Sequence, residues 1–260
     1  MNDNNGMKWS WEETILAFDL YCRTPFGAIG QGNPEIVELA RLIGRTPGAV
    51  SLKMSNIASI DPELQKRGIK GMQHGSKLDE EIFAEFSENL EELSYQAQVI
   101  RAKLEDKSVS DIIDLEEIKD MPAGEYRERT MKTRVGQYFF RLTVLNSYGN
   151  CCCVTGLAKP ELLVASHIKP WSVSDEKTER TNPKNGLCLN PIHDKAFDKG
   201  FITIDENYRI VISQRIKDVE MDSATRKWFM GYENQQIKLP EKFRPGKDFI
   251  QYHNDMIFQW

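Results

Sequence analysis

The chain has 260 residues, an apolar fraction of 40% and a formal net charge of −5, enough apolar content for one large core or two smaller ones. No stretch approaches the roughly eighteen consecutive apolar residues of a membrane-spanning helix, so a span is excluded at the level of sequence. The net charge neither establishes nor excludes a nucleic-acid partner, because the acidity is concentrated in residues 78–121 while residues 122–200 carry a positive excess.

The chain opens on Met1 to Gly6, which has neither the basic nor the apolar region of an export leader, and a cytoplasmic setting is expected. Ser10 followed by Glu13 predicts a capping box, and the helix it starts continues through Tyr21 and ends at Arg23 to Gly27. Asn33-Pro34 and Thr46-Pro47 each pair an N-cap residue with proline at the first helical position, and Gly44 separates the two helices they open.

Helix, glycine turn and capped helix fits a helix-turn-helix, or simply a helical hairpin in a small bundle. In the second of these helices Gly48, Ser51, Lys53 and Ser55 are expected to stay out of the core, with Val50, Leu52, Met54 and Ile57 as its apolar surface. On the DNA-reading alternative, Arg45, Ser51 and Lys53 are the candidate contacts. Leu78 to Leu104 reads as an acidic helix with a solvated face, and a linker is expected over residues 106–124. The expected organisation is a helical domain over 1–105, that linker, and a second domain over 125–260.

From Tyr126 a basic helix leads to Tyr148-Gly149-Asn150. The five cysteines are an odd number with three adjacent (Cys151, Cys152, Cys153). They make a poor disulfide framework, and no Cys-x-x-Cys pair offers a structural zinc site. The adjacent cysteines, Cys188 and Trp171 are expected in the core. The apolar run Leu162 to Ala165 predicts a short strand with His167 at its end, and Asn185-Gly186 a tight turn before a second strand, Leu187 to Leu189. Pro191 then opens a short helix with Asp194 and Asp198 on one face. Phe201 to Ile212 carries a β-hairpin signal, and the segment to Trp260, bent by Pro240 and Pro245, is expected to pack on the core.

Strand, loop, strand, helix is the order of a ββα-metal unit. An imidazole can deprotonate water there, and a divalent ion can stabilise the charge that grows on a phosphate. Cys-Val-Thr-Gly at 153–156, Ala-Ser-His-Ile-Lys-Pro-Trp at 165–171, Asn-Gly-Leu at 185–187 and His-Asp-Lys-Ala-Phe-Asp-Lys-Gly at 193–200 together resemble the HNH endonucleases. They look most like a bacterial, restriction-like branch, and Trp9 to Phe86 looks like a module found ahead of such domains.

The resemblance implies an α+β protein with a helical N-terminal domain and an HNH nuclease domain. It implies His167 as general base and Asn185 as the residue that orients it. Asp194 takes the place of a metal ligand, with His193 as its substitute if the helix is rotated and Asp198 as a secondary ligand. Ser166 stands where many relatives have Asp or His, which makes it a weaker ligand. Lys169, Lys195 and Lys199 are candidate phosphate contacts. The implied cofactor is Mg²⁺, with Mn²⁺ as alternative. The implied partner is double-stranded DNA cut by a homodimer, in restriction of foreign or modified DNA. A DNA-binding regulator with an inactive fold and an RNA nuclease are the competing readings.

Overall fold

The computed structural model describes residues 4, 6–66, 68, 75–112 and 124–260. Within them the protein is α+β, with helices throughout and two separate two-stranded antiparallel sheets. It divides into two compact units, Met1–Thr143 with Glu176–Thr181, and Val144–Asp175 with Asn182–Trp260.

In the first unit, helix α1 (Trp11–Arg23) is the centre. Its residues from Glu13 to Cys22 are all buried, because α2 (Pro34–Ile43), α3 (Pro47–Ile60), α5 (Lys77–Phe86) and α6 (Leu90–Glu105) pack around it. The expected capping box is formed: Glu13 N–H donates to Ser10 Oγ at 3.2 Å and Ser10 N–H to Glu13 Oε2 at 2.9 Å. Asn33 and Thr46 cap α2 and α3 as their sequences predict, and Gly44 turns between them at φ +68°. Short helices α4 (Pro62–Lys66) and α7 (Val109–Ile112) complete this part, and the long α8 (Glu125–Ser147) runs from it into the second unit. Thr181 and Glu91 pack directly on Gly136 of α8, where a Cβ would lie 2.9 Å from the threonine side chain.

Two expectations for this unit are corrected. In α3 it is Lys53 that is buried, at 4% exposure, while Leu52 stands out at 46%. The helical period explains it. Val50, Lys53, Met54 and Ile57 lie at i, i+3, i+4 and i+7 on one face, and Leu52 falls nearly opposite. The acidic stretch forms α5 and α6, and it is not wholly solvated. Asp79 and Glu91 are buried, and Asp79 also closes a second capping box with Ser76. Of the expected linker, α7 occupies part, and residues 113–123 lie outside the described residues.

The second unit is built on the pairing of β1 (Val164–His167) with β2 (Gly186–Leu189), in which His167 faces Gly186. Helix α9 (Pro191–Asp198) follows and packs on both strands. The expected hairpin is β3 (Ile202–Ile204) with β4 (Ile210–Ile212). Asp205 Oδ1 closes its turn by accepting from the N–H groups of Asn207 and Arg209. Helices α10 (Gln214–Lys217), α11 (Ser223–Met230) and α12 (Lys247–Met256) complete it.

The end of α9 is closed by a Schellman motif. Gly200 N–H donates to Phe197 O at 2.8 Å and Phe201 N–H to Ala196 O at 2.8 Å, with Gly200 at φ +69°. The last residues are tied to this same point. Gln259 N–H donates to Gly200 O at 2.9 Å, its side-chain amide to Lys199 O at 2.7 Å, and Ser213 Oγ–H to Gln259 O.

Candidate active site

His167 is the last residue of β1, half-buried, with its ring edge-on to Trp171 at 5.5 Å between centroids. Trp171 is thus only half-buried, beside the candidate base and not inside the core. The loop that leaves β1 is held by Asn185, which is fully buried. Its Oδ1 accepts from Lys169 N–H at 2.8 Å and its Nδ2 donates to Lys169 O at 3.1 Å and to Ser174 Oγ at 3.3 Å. Its own carbonyl accepts from Ile168 N–H at 2.9 Å. An Asn side chain has both donor and acceptor, so one residue satisfies both backbone groups of Lys169. The backbone on either side of His167 is therefore fixed, by the β2 ladder before it and by Asn185 after it. Ser174, which sequence reasoning passed over, is part of this brace: its hydroxyl also bonds Lys169 O and Pro170 O.

Strand alternation sends Ser166 to the opposite side of β1 from His167. It is buried, and its Oγ has no hydrogen-bond partner. Asp194 and Asp198 lie one helical turn apart on α9, the first half-buried and the second exposed. Desolvation, and then the neighbouring Asp194 charge, push the Asp198 carboxyl above its ordinary range. The two carboxylates lie close enough on one helix turn for each to disfavour the other's charge.

His193 does not belong to that pair, which corrects its role as a substitute ligand. It lies on the core stripe of α9 with Ala196 and Phe197, at 2% exposure. Its Nδ1 bonds Asn190 Nδ2 at 2.8 Å and its Nε2 bonds Trp228 O at 3.0 Å. A carbonyl can only accept, so Nε2 carries the proton and Nδ1 takes the amide hydrogen, which leaves no lone pair for a metal. The ring is enclosed by Trp228, Phe229 and Tyr232.

Asn190 and Cys152 are the residues that sequence reasoning missed. Asn190 caps α9 by accepting from the N–H groups of Ile192 and His193, both at 3.0 Å. The signal was present, since Asn190-Pro191 repeats the Asn33-Pro34 pattern. Cys152 is expected as simple core, but its Sγ accepts from Asn190 N–H at 3.3 Å and Thr155 N–H at 3.5 Å. Burial pushes its thiol up, while hydrogen bonds from Thr155 and nearby backbone pull it down.

Among the candidate DNA contacts, Lys195 and Lys199 are exposed. Lys169 sets its Nζ 5.3 Å from the centre of the Tyr252 ring. In the first unit Ser51 is half-buried, and two contacts are corrected. Arg45 is buried and gives its guanidinium to Glu13, at 2.7 and 3.0 Å, and to the carbonyls of Met7 and Lys8. Lys53 is buried against Asp79 at 2.5 Å. Both cations also sit over the Trp9 ring. A guanidinium or ammonium spent on internal partners is not available to a phosphate.

Among the described residues there is no group of three or more His, Cys, Asp and Glu side chains placed to hold an ion. The donors on offer are the Asp194 and Asp198 carboxylates of α9, both oxygen, while the Ser166 hydroxyl is sealed inside the fold. That set fits a hard divalent cation such as Mg²⁺, which keeps several waters and needs few protein ligands.

No curated protein matches the chain. A family model described as HNH endonuclease matches residues 152–205, the segment from Cys152 through β1, β2, α9 and β3. Residues 152–205, within the second unit, are therefore similar to the HNH endonucleases.

Proposed function

We propose that the chain is a divalent-metal-dependent endonuclease that hydrolyses phosphodiester bonds in double-stranded DNA. The observation that carries this reading is the convergence of three features on one small sheet. His167 stands at the end of β1, Asn185 clamps the loop beyond it, and α9, the helix that carries Asp194 and Asp198, packs on the same two strands.

In this reading His167 takes a proton from the attacking water, a task that suits an imidazole whose ordinary pKa is about 6.5. Asn185 keeps the ring in place during that transfer. Asp194 and Asp198 would hold the ion, and Ser166, buried on the side of β1 away from His167, takes no part. A bound divalent cation supplies charge stabilisation for the scissile phosphate and its leaving oxygen. Lys169, Lys195 and Lys199 supply phosphate contacts, and Ser51 lies on the face of α3 available to DNA.

The helical domain, taken as residues 1–105, would select or hold the site. Because cutting a duplex needs two strand breaks and each chain has one such site, the working form on DNA is a homodimer. Restriction of foreign or modified DNA is the setting that this combination suits.

The test is incubation of the full chain with supercoiled plasmid, modified and unmodified, over Mg²⁺ and Mn²⁺. Nicking and linearisation are expected, lost in His167→Ala with DNA binding retained. Binding without cleavage in every metal would support an inactive binder instead, and cleavage confined to RNA would support an RNA nuclease.

A further inference from the structure

In the first unit the start of α1 and the last turns of α2 and α6 border an open groove of about 710 Å³. That is the size of a ligand pocket, roughly 300–1,000 Å³. Its floor is aliphatic. Leu42, Val99, Ile100 and Leu104 line it together with Met7. Three of these stand well out into water, Met7 at 63%, Val99 at 42% and Leu104 at 50%. A single exposed apolar side chain is ordinary, but several sharing one groove mark a surface that meets something.

Three cations stand around that floor: Lys8, Arg41 and Lys103. None of their side chains has an ion-pair or hydrogen-bond partner among the described residues. By contrast, Arg23, Arg45, Lys53, Arg101 and Lys132 of the same unit are all paired. Carboxylates are not scarce, since acidic residues outnumber basic ones over residues 1–121. Two carboxylates line the groove, and Glu13 is committed to Arg45, which leaves Glu12 against three cations. On α6 the apolar and basic characters share one flank. Val99 and Lys103 lie four residues apart, as do Ile100 and Leu104.

We propose that this groove docks an acidic amphipathic helix of a partner protein. The lining does not suit the other common modes of peptide recognition. An added β-strand needs a free sheet edge, and none of the described strands lies in the first unit. A polyproline helix needs aromatic walls, and no aromatic residue lines the groove. A helix laid in the groove presents apolar anchors at i, i+3 or i+4 and i+7 to the floor, and its flanking carboxylates face Lys8, Arg41 and Lys103. Duplex DNA would take the cations but leave the aliphatic floor in water. An acyl chain would be left half in water too, because the floor is too exposed to enclose it. Arg41 and Lys103 sit in the last turns of α2 and α6, where a cation is favoured, so their charge is in place before the partner arrives. The inference is independent of cleavage by the second unit and is tested without it.

Fluorescence anisotropy of a labelled peptide titrated with the full chain is the primary test. The peptide has about sixteen residues, long enough to be helical alone, with Leu at i, i+3, i+4 and i+7 and Glu elsewhere. The control peptide carries Lys in place of Glu. The acidic peptide is expected to bind about tenfold or more tightly than the basic one, the combined scale of three exposed ion pairs. Arg41→Glu with Lys103→Glu should reverse that preference, and Val99→Ser with Leu104→Ser should weaken binding of the acidic peptide. All four positions are exposed, so the melting temperature of each variant should match the parent. A short DNA duplex should bind the charge variant as it binds the parent. Equal binding of the two peptides, or no binding at about 1 mM, overturns the proposal. A loss of duplex binding in the charge variant as large as its loss of acidic peptide assigns the cations to DNA and also overturns it. Sedimentation of the chain alone covers the remaining occupant: self-association abolished by the Val99 and Leu104 substitutions gives the groove to a second copy, against the proposal.

Discussion

Asn185 holds the peptide groups of Lys169 from both sides, donating to its carbonyl and accepting from its N–H, two residues beyond His167. Neither bond touches the imidazole. Both determine the path of the backbone that carries it. Replacing Asn185 with Ala should therefore lower the single-turnover cleavage rate by about 100-fold, the usual effect of a displacement of about an ångström at a reacting group. Asn185→Asp should be nearly as poor, because a carboxylate cannot donate to Lys169 O. Full cleavage by both variants would remove the positioning role.

Gly200 offers a sharper stability test. Its φ of +69° already disfavours a side chain, and a Cβ there would sit 2.1 Å from Ile257 O. Backbone must move, so Gly200→Ala should cost at least about 3 kcal/mol, more than the roughly 1 kcal/mol of left-handed strain alone. Thermal unfolding of the variant checks this, and a melting temperature within a degree or two of the parent contradicts the close approach.

Arg45 should behave as a folding residue. Its removal leaves the buried Glu13 carboxylate without its cation, a loss of about 3–5 kcal/mol for a buried pair. Arg45→Ala is expected to lower the denaturation midpoint of the first unit. Where the variant stays folded, DNA affinity and its salt dependence should match the parent. A shallower salt slope with unchanged stability would return Arg45 to the DNA surface.

His253 gives a pH dependence whose sign can be worked out. Desolvation lowers its pKa from 6.5 to about 4, against the opposing bond to Phe197 O. Above pH 6.5 the ring is neutral in both folded and unfolded chains, and its stabilisation is complete. As pH falls from 6.5 to 4, the unfolded chain takes up a proton that the folded one resists, so stability drops, by on the order of 3 kcal/mol. Urea midpoints measured across that window should decline, and His253→Asn should flatten the decline.

The cap residues of the helices were legible in the sequence because capping is local: Ser10, Asn33 and Thr46 each act within three residues of themselves. The ββα order, the hairpin at Asp205 and the proximity of Asp194 to Asp198 followed from period and spacing for the same reason. What escaped were pairings across the chain. Nothing near Lys53 announces that Asp79, twenty-six residues on, will draw it into the core. Nothing near His193 announces Trp228. A basic residue on a helix looks the same in sequence whether it meets a phosphate or a buried carboxylate, and only packing separates the two. Ser166 is the intermediate case, since strand alternation gives its direction but not its missing partner.

The bonds from Gln259 to Lys199 and Gly200 have a practical corollary for anyone producing the protein. An affinity tag or fusion partner attached after Trp260 would begin one residue from the clasp that finishes α9, and would pull on the helix bearing the two aspartates. Placed ahead of Asn4 instead, the same handle leaves both that clasp and the Met7 and Lys8 carbonyls that hold Arg45 alone.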